Sequence, residues 1–189
     1  MNFKKHLEVE EGSHAFCSAS QYHWLNYSTE KLIERWRNHD ATERGTRLHE
    51  FAKNCIELKR KQKGRDTFAM YVNDAIGFGM SPEILLYFSP FFFGTADAIH
   101  FNEKKGFLRI HDLKTGEIPA NMKQLYIYDA LFCLDYDIKP GDIEYENRIY
   151  QSNDIFVDNP TSDIILPIID KMITFDRILT DIVLEDEPS

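Results

Sequence analysis

Two aspartates and a lysine near the middle of the chain have the types and spacing of a metal-dependent hydrolytic site. Asp97 lies in GTADAIHF, and Asp112 and Lys114 lie in GFLRIHDLK. Residues two apart in a strand point to the same face, so Asp112 and Lys114 are expected to project together. Carboxylate oxygens bind hard cations such as Mg²⁺, which polarise a phosphate and lower the pKa of a bound water. A neighbouring ammonium group orients that water or neutralises developing negative charge.

These residues meet only if their two segments form a β-hairpin. Residues 94–101 and 106–114 have the composition of strands, and Asn-Glu-Lys-Lys at 102–105 is a turn signal. A hairpin closed there brings both aspartates within reach of one cation. A lone D-x-K is most often an ordinary surface ion pair. The second carboxylate across the hairpin, and apolar neighbours on the same strand, favour a site.

The surrounding segments predict an α/β (α+β) fold with a central mixed sheet and helices on both faces. A three-strand antiparallel meander is followed by a helix and a further strand, which suggests a crossover. Predicted caps are Ser28 or Thr29 and Asp66, Gly64 ends a helix, and Pro119 lies in a first turn. The predicted helices are 29–39, 41–63, 66–77, 119–134 and 162–183, and the other strands are 84–93 and 143–150.

Composition and charge restrict the function classes. The chain has 189 residues and is 43% hydrophobic, enough for one domain with a core. Its net charge of −9 argues against a general nucleic-acid coat and, taken alone, favours a small-molecule enzyme or a protein-binding module. The charge is segregated, however: residues 44–65 carry +6 and residues 135–189 carry −10. The basic segment is either a solvated helix face or a polyanion-binding strip.

Targeting and cysteine patterns point to a reducing cytoplasm. No run of about 18 apolar residues occurs, and residues 1–14 lack the apolar stretch of a signal peptide. Cys17, Cys55 and Cys133 lie far apart and form no C-x-x-C pair. We therefore expect no membrane partner, no disulfide framework and no zinc ribbon, with all three cysteines buried as apolar residues.

The hairpin residues resemble the PD-(D/E)XK nuclease superfamily, in the D-x-K form of RecB-like nucleases. The matching motifs are GTAD, ending at Asp97, and HDLKTG, containing Asp112 and Lys114. Upstream, ERGTRLHEFA with His49 resembles the first helical motif of that family, and FCSASQYHWLNYS resembles the Ser-containing segment before it. Downstream, QLYIY resembles its Q-x-x-x-Y motif. The similarity runs from about residue 15 to about residue 150.

The resemblance implies a role for each matching residue. Asp97, Asp112 and Lys114 would be catalytic, and the metal ligands would be His49, Asp97, Asp112 and the backbone carbonyl of Leu113. Glu50 points about 100° away from His49 on a helix, so it is expected behind the ligands or facing solvent. Gln124 and Tyr128, one turn apart, would contact DNA or brace the hairpin. Further DNA contacts are expected from Arg44, Arg47, Lys53, Lys123 and Arg148.

The activity implied is that of a Mg²⁺- or Mn²⁺-dependent deoxyribonuclease, with an exonuclease favoured over an endonuclease. One nuclease domain over 1–189 is expected, with a core of about 15–157 and a C-terminal helix at about 162–183. The four-cysteine pattern of an iron–sulfur cluster is missing, so no cluster is expected. No helicase motif is present, so unwinding would need a partner.

The expected setting is recombination, repair or phage DNA processing in the cytoplasm of a bacterial or phage-infected cell. The expected partners are DNA and a helicase, recombinase or annealing protein. Two alternatives stay open. One is a catalytically inactive nuclease-fold module that binds nucleic acid or a protein. The other is an acidic adaptor with no nucleic-acid role.

Overall fold

A computed structural model describes residues 15–20, 22–116 and 118–186. The chain divides into two compact units, one up to Thr46 and one from Arg47 onwards. The opening residues 1–14, for which the sequence predicts no signal peptide, lie outside the described residues. No helix in the described ranges is long and apolar enough to cross a membrane.

Four α-helices and five strands are present among the described residues, with short 3₁₀ turns at Tyr22–Asn26 and Pro140–Asp142. The helices are α1 (Thr29–Glu57), α2 (Thr67–Gly77), α3 (Lys123–Asp135) and α4 (Ser162–Asp186). The strands are β1 (Ser81–Ser89), β2 (Phe92–Asn102), β3 (Phe107–Leu113), β4 (Glu144–Gln151) and β5 (Asp154–Asp158).

The strands form one mixed sheet in the order β1-β2-β3-β4-β5. The pairs β1–β2, β2–β3 and β4–β5 are antiparallel, and β3–β4 is parallel. The parallel pair requires a crossover, and α3 lies in that connection. The predicted fold class and the antiparallel meander are confirmed. The edge strand β5 was not predicted, because it is a five-residue segment with no long alternating pattern.

Helices pack on both faces of the sheet, and alternate strand residues belong to different core clusters. Ile149 packs in a cluster with Leu125 of α3 and Ile165 of α4. The next residue, Tyr150, packs in a second cluster with Val72 of α2 and Cys55 of α1. The same holds for β3, where Ile110 belongs to the first cluster and Leu113 to the second, so the sheet lies between two cores.

The predicted helix break at residue 40 is wrong, because α1 runs without interruption from Thr29 to Glu57. Asp40 forms an ion pair with Arg44 one turn ahead, and Thr42 Oγ1 donates to the carbonyl of Asn38. These contacts keep the polar stretch helical. The start was predicted correctly, since the Ser28 hydroxyl accepts a hydrogen bond from the N–H of Lys31 at 3.2 Å.

The predicted end of this helix at Lys63 is also wrong. Lys59 adopts a left-handed conformation with φ of 51°, and the N–H of Arg60 donates to the carbonyl of Cys55 at 2.8 Å. This arrangement terminates the helix at Glu57 without glycine. Five basic residues of the +6 segment consequently lie after the helix rather than on it: Lys59, Arg60, Lys61, Lys63 and Arg65.

Two further boundaries differ from the prediction. The predicted strand 84–93 is split by a turn at Pro90, which has no N–H to donate to the sheet. Helix α3 begins at Lys123 rather than at Pro119, because the side chain of Gln151 holds the preceding segment out of helical geometry. Its amide bonds the carbonyls of Gly116 and Ile118 and the N–H of Ala120.

The cysteine prediction is partly wrong. Cys55 and Cys133 are buried as expected, whereas Cys17 is exposed. Cys55 of α1 is buried in the core cluster that also contains Val72 of α2 and Leu113 at the end of β3. Cys17 therefore contributes no comparable packing.

Candidate metal site

The hairpin of β2 and β3 places the two predicted aspartates side by side. Ala98 is paired with His111 in the antiparallel register, so Asp97 and Asp112 occupy adjacent positions on neighbouring strands. The Asp97 carboxylate also accepts a hydrogen bond of 2.8 Å from the N–H of Leu113. This bond fixes one aspartate against the backbone of the strand that carries the other.

His49 reaches the same place from α1. Its Nδ1 atom lies 3.4 Å from Oδ1 of Asp97. The hydrogen bond to Asp97 raises the pKa of the His49 imidazole, although burial opposes the rise. The structure therefore brings the predicted histidine to the carboxylates, and its role as a metal ligand stays a prediction.

A third carboxylate, Glu83 of β1, completes the group and was missed in the sequence. Pro82 is paired with Ala98, and therefore Glu83 stands beside Asp97. One ligand atom from each of His49, Glu83 and Asp97 lies within 4.8 Å of the other two. The only signal in the sequence was a single charge in the otherwise uncharged strand SPEILLYFS. We call His49, Glu83, Asp97 and Asp112 the carboxylate cluster.

Glu83 also has an unusual backbone. Its φ is 52°, in the left-handed region that residues with a side chain rarely adopt. Strained conformations of this kind persist where the surrounding structure imposes them, and they concentrate at functional sites. The strain here accompanies a side chain that joins a group of like charges.

Burial and like charge together perturb the carboxylates. Asp112 is 2% exposed, and burial, followed by the charge of Asp97, raises its pKa to about 6. Burial and Asp97 also raise the pKa of Glu83. The Oδ2 atom of Asp112 is buried and has no hydrogen-bond partner among the described residues. Such an oxygen is costly unless something else binds it.

Lys114 is held in place by a chain of hydrogen bonds. Its Nζ donates to Asp112 at 3.0 Å and to Oε1 of Gln124 at 2.8 Å. The amide of Gln124 donates to the Tyr128 hydroxyl at 3.4 Å, and that hydroxyl donates to the carbonyl of Thr95 at 2.7 Å. The Q-x-x-x-Y residues thus brace the hairpin, one of the two roles expected for them. Their contact with DNA stays a prediction.

A close contact with the Tyr128 ring explains why the first residue of the GTAD motif, Gly94, is a glycine. A Cβ atom at Gly94 would lie 3.0 Å from Cε1 of Tyr128, closer than real Cβ contacts allow without movement. Glycine therefore lets the Tyr128 ring cross β2 and reach Thr95. A larger residue would require the Tyr128 ring to move by a few tenths of an ångström or more.

The basic residues predicted to bind DNA are dispersed. Arg47 and Lys123 are exposed. The acidic residue Glu50 was predicted to lie either behind the ligands or facing solvent, and it faces solvent. Lys53 is half-buried, and its charge opposes the rise in the pKa of Glu83. Arg44 belongs to the first unit, where it pairs with an aspartate one turn away.

Arg148 is engaged elsewhere in the fold. Its Nη1 lies 3.2 Å from Asp74, its Nε lies 2.8 Å from Glu146, and its guanidinium lies 4.7 Å from the centre of the Phe78 ring. These contacts tie Arg148 to α2 and β4 rather than to the carboxylate cluster. Its predicted contact with DNA remains untested.

The donor set of the cluster fits a hard or borderline divalent cation. Three carboxylates outnumber the two lysines, Lys114 and Lys53, whose charges act on them. Imidazole with carboxylate oxygen suits Mn²⁺, while oxygen donors suit Mg²⁺. The unpartnered Oδ2 of Asp112 is consistent with a cation at this point. Comparison of the chain with models of protein families, with curated proteins and with solved structures found no match.

Proposed function

We propose that the protein is a divalent-metal-dependent nuclease that hydrolyses the phosphodiester bonds of DNA, with a site of the RecB-like PD-(D/E)XK type. One observation carries the proposal. His49, Glu83 and Asp97 offer ligand atoms within 4.8 Å of one another, Asp112 lies on the strand beside Asp97 and next to Lys114, and a buried oxygen of Asp112 has no hydrogen-bond partner among the described residues. Buried negative charge of this kind is either neutralised by protons or balanced by a cation.

His49, Asp97 and Asp112 would hold Mg²⁺ or Mn²⁺, and Glu83 offers a further oxygen within the same reach. When bound, the cation polarises the phosphate and lowers the pKa of a coordinated water. The imidazole must be neutral to act as a ligand. Since Asp97 raises the pKa of His49, protonation of the imidazole competes with metal binding.

Lys114 supplies the positive charge that the carboxylates lack. Its ammonium group is fixed between Asp112 and Gln124, so it is oriented before the substrate arrives. A fixed cation stabilises negative charge that develops on the phosphate oxygens and helps to position the attacking water. Gln124 and Tyr128 act through Lys114 by keeping it in this orientation.

Cleavage of linear DNA with Mg²⁺, with Mn²⁺ and with EDTA tests the proposal. We expect degradation only with metal, and its loss in Lys114→Ala and Asp112→Asn. Lys104→Ala is the matched control, because Lys104 is an exposed lysine in the turn of the same hairpin. Equal behaviour of the wild type and both site variants under all three conditions would rule out catalysis here. DNA binding without cleavage would support the alternative of an inactive nuclease-fold binding module.

We further propose that cleavage is exonucleolytic and serves recombination, repair or phage DNA processing in the cytoplasm, with a helicase, recombinase or annealing protein as partner. The resemblance of the motifs supports this part of the proposal. An exonuclease digests linear DNA and leaves covalently closed circles intact. Equal digestion of both forms would instead indicate an endonuclease.

A further inference from the structure

A cavity of about 350 Å³ lies beside the carboxylate cluster, where Lys114 leaves the end of β3. Its other walls include Leu48 of α1, Phe68 of α2 and the turn at Asn153. Lys114 belongs both to the cavity and to the surroundings of the carboxylate cluster, since it lines the cavity and its Nζ lies 3.0 Å from Asp112. A volume of this size is suited to a small planar group rather than to a folded partner.

Phe68, which lines the cavity, is one member of an aromatic pair. The rings of Phe51 and Phe68 are stacked with their centres 5.3 Å apart and an interplanar angle of 5°. Phe51 is 50% exposed, while Phe68 lines the cavity. Phe51 follows His49 by two residues on α1, so the helix that presents the histidine also braces the ring pair. Aromatic rings beside a nucleic-acid site are surfaces on which unpaired bases stack.

The polar groups at the start of α2, where the cavity lies farther from Asp112, favour a base over a phosphate. The N–H of Thr67, at the start of α2, already donates to Asn153 at 2.9 Å, and the N–H of Ala69 donates to Asp66 at 2.9 Å. The helix terminus is therefore occupied by its own caps. The carboxylate of Asp66 lines the cavity and would repel a phosphate, whereas it accepts hydrogen bonds from amino groups.

We propose that this cavity is a base subsite, which takes a nucleobase of the substrate strand next to the scissile phosphate and stacks it on Phe68. The inference rests on the proposed nuclease function, because it describes part of that substrate. A base enters such a cavity only after it leaves the duplex stack. The substrate at the moment of cleavage is thus a single strand or a frayed end.

A series of single-stranded oligonucleotides, each with one abasic residue at a different position, tests the subsite. We expect an abasic residue at one fixed position beside the cut to lower kcat/KM about tenfold in the wild type, because one stacked base is lost. Phe68→Leu should cut the intact oligonucleotide about tenfold more slowly and show no further penalty for the abasic one. Phe175→Leu is the control, since Phe175 is an exposed ring on α4 that does not line the cavity.

Binding gives a second readout that does not depend on turnover. With Ca²⁺ in place of the active metal, 2-aminopurine at the same position should change its fluorescence on binding the wild type and Phe68→Trp, because it leaves its neighbouring bases, but not on binding Phe68→Leu. Phe68→Trp keeps a stacking ring and serves if the leucine variant does not fold.

The two proposals fail in different ways. Cleavage with no position-dependent penalty, or a penalty that persists unchanged in Phe68→Leu, overturns the base subsite alone. An absence of cleavage with either metal overturns the nuclease proposal, and the subsite with it.

Discussion

Two half-buried groups of charged residues lie in this fold, and they differ in how their charge is balanced. In the arginine cluster, formed by Asp74, Arg109, Glu146 and Arg148, each acid faces a guanidinium. Arg109 lies 2.6 Å and Arg148 lies 2.8 Å from Glu146, and Arg148 lies 3.2 Å from Asp74. The carboxylate cluster has three acids, balanced in part by its own His49, by Lys114 beside Asp112 and by the charge of Lys53 near Glu83.

The pKa directions follow this difference. Burial acts to raise the pKa of Glu146, but hydrogen bonds from both arginines outweigh it and keep that pKa below the ordinary value. In the carboxylate cluster, burial and neighbouring acids act together, so the pKa values of Glu83 and Asp112 are raised. The arginine cluster is complete as it stands, and the carboxylate cluster is suited to receive a cation.

Removal of one carboxylate from the cluster should have the largest effect. Asp112→Asn should lower metal-dependent DNA cleavage by about a thousandfold or more, because one ligand and one partner of Lys114 are lost. Arg148→Met, in the arginine cluster, should stay within about threefold of the wild type after correction for folded fraction. Initial rates on a labelled linear duplex measure both. Equal losses in the two variants would remove the functional distinction between the clusters.

The pH dependence of stability should have opposite signs in the two clusters. The pKa of Asp112 is about 6 in the folded protein, against an ordinary value of 3.8, so the folded state holds its proton more tightly. Without metal, stability should therefore fall as pH rises from about 4 to about 6, by about 3 kcal/mol. Glu146, whose pKa is lowered, contributes stability that is lost as pH falls.

Urea unfolding in EDTA between about pH 4 and pH 7 measures this dependence. Asp112→Asn should remove the Asp112 contribution to this loss, because the amide does not titrate, while buried Asp129, whose pKa is raised to about 8, keeps its own contribution. Glu103→Gln, at an exposed position in the turn of the hairpin, should keep the wild-type profile. An unchanged profile in Asp112→Asn would mean that this carboxyl is ionised without cost.

Metal should stabilise the protein through the carboxylate cluster alone. A ligand at a hundred times its Kd adds about 2.7 kcal/mol, which for a chain of this size raises Tm by about 5–10 °C. Mn²⁺ should produce this rise in the wild type and in Arg148→Met, but not in Asp97→Asn. Thermal unfolding with Mn²⁺ and with EDTA makes the measurement. A full shift in Asp97→Asn would place the cation elsewhere.

The local part of the site was readable from the sequence. Asp97, Asp112 and Lys114 lie on one hairpin, whose strands and turn are specified by nearby residues, and His49 lies on a helix with a strong pattern. The mixed sheet followed from the order of the elements. These features depend on periodicity and turn chemistry over short stretches of chain.

The missed features depend on register and on single backbone conformations. Glu83 joins the cluster because β1 pairs with β2 in one register and because its φ is positive. The end of α1 is set by the left-handed Lys59, which no propensity indicates. Arg148 has the residue type of a DNA contact, yet its partners come from α2 and from its own strand. The strand register, the backbone conformations and the ion pairs of the folded chain are needed to predict these three features.

The smallest expected effect concerns the arginine cluster as a structural group. Arg148→Met should lower the free energy of unfolding by about 1–2 kcal/mol, because it leaves Asp74 and Glu146 with fewer partners. Partial exposure of these side chains, 18% for Arg148 and 34% for Asp74, keeps the cost below that of a fully buried pair. Arg177→Met, at an exposed position on α4, should change stability by less than about 0.5 kcal/mol.

The salt dependence of DNA binding then decides between the two roles of Arg148. A phosphate contact contributes about one unit to the slope of log K against log salt, and its removal lowers that slope. If Arg148 is structural, Arg148→Met unfolds more easily but binds DNA with the wild-type slope. A lower slope with unchanged stability would make Arg148 a DNA contact, as its sequence position suggests. Both clusters would then contribute to DNA binding. The balanced charge of the arginine cluster would no longer indicate that its role is purely structural.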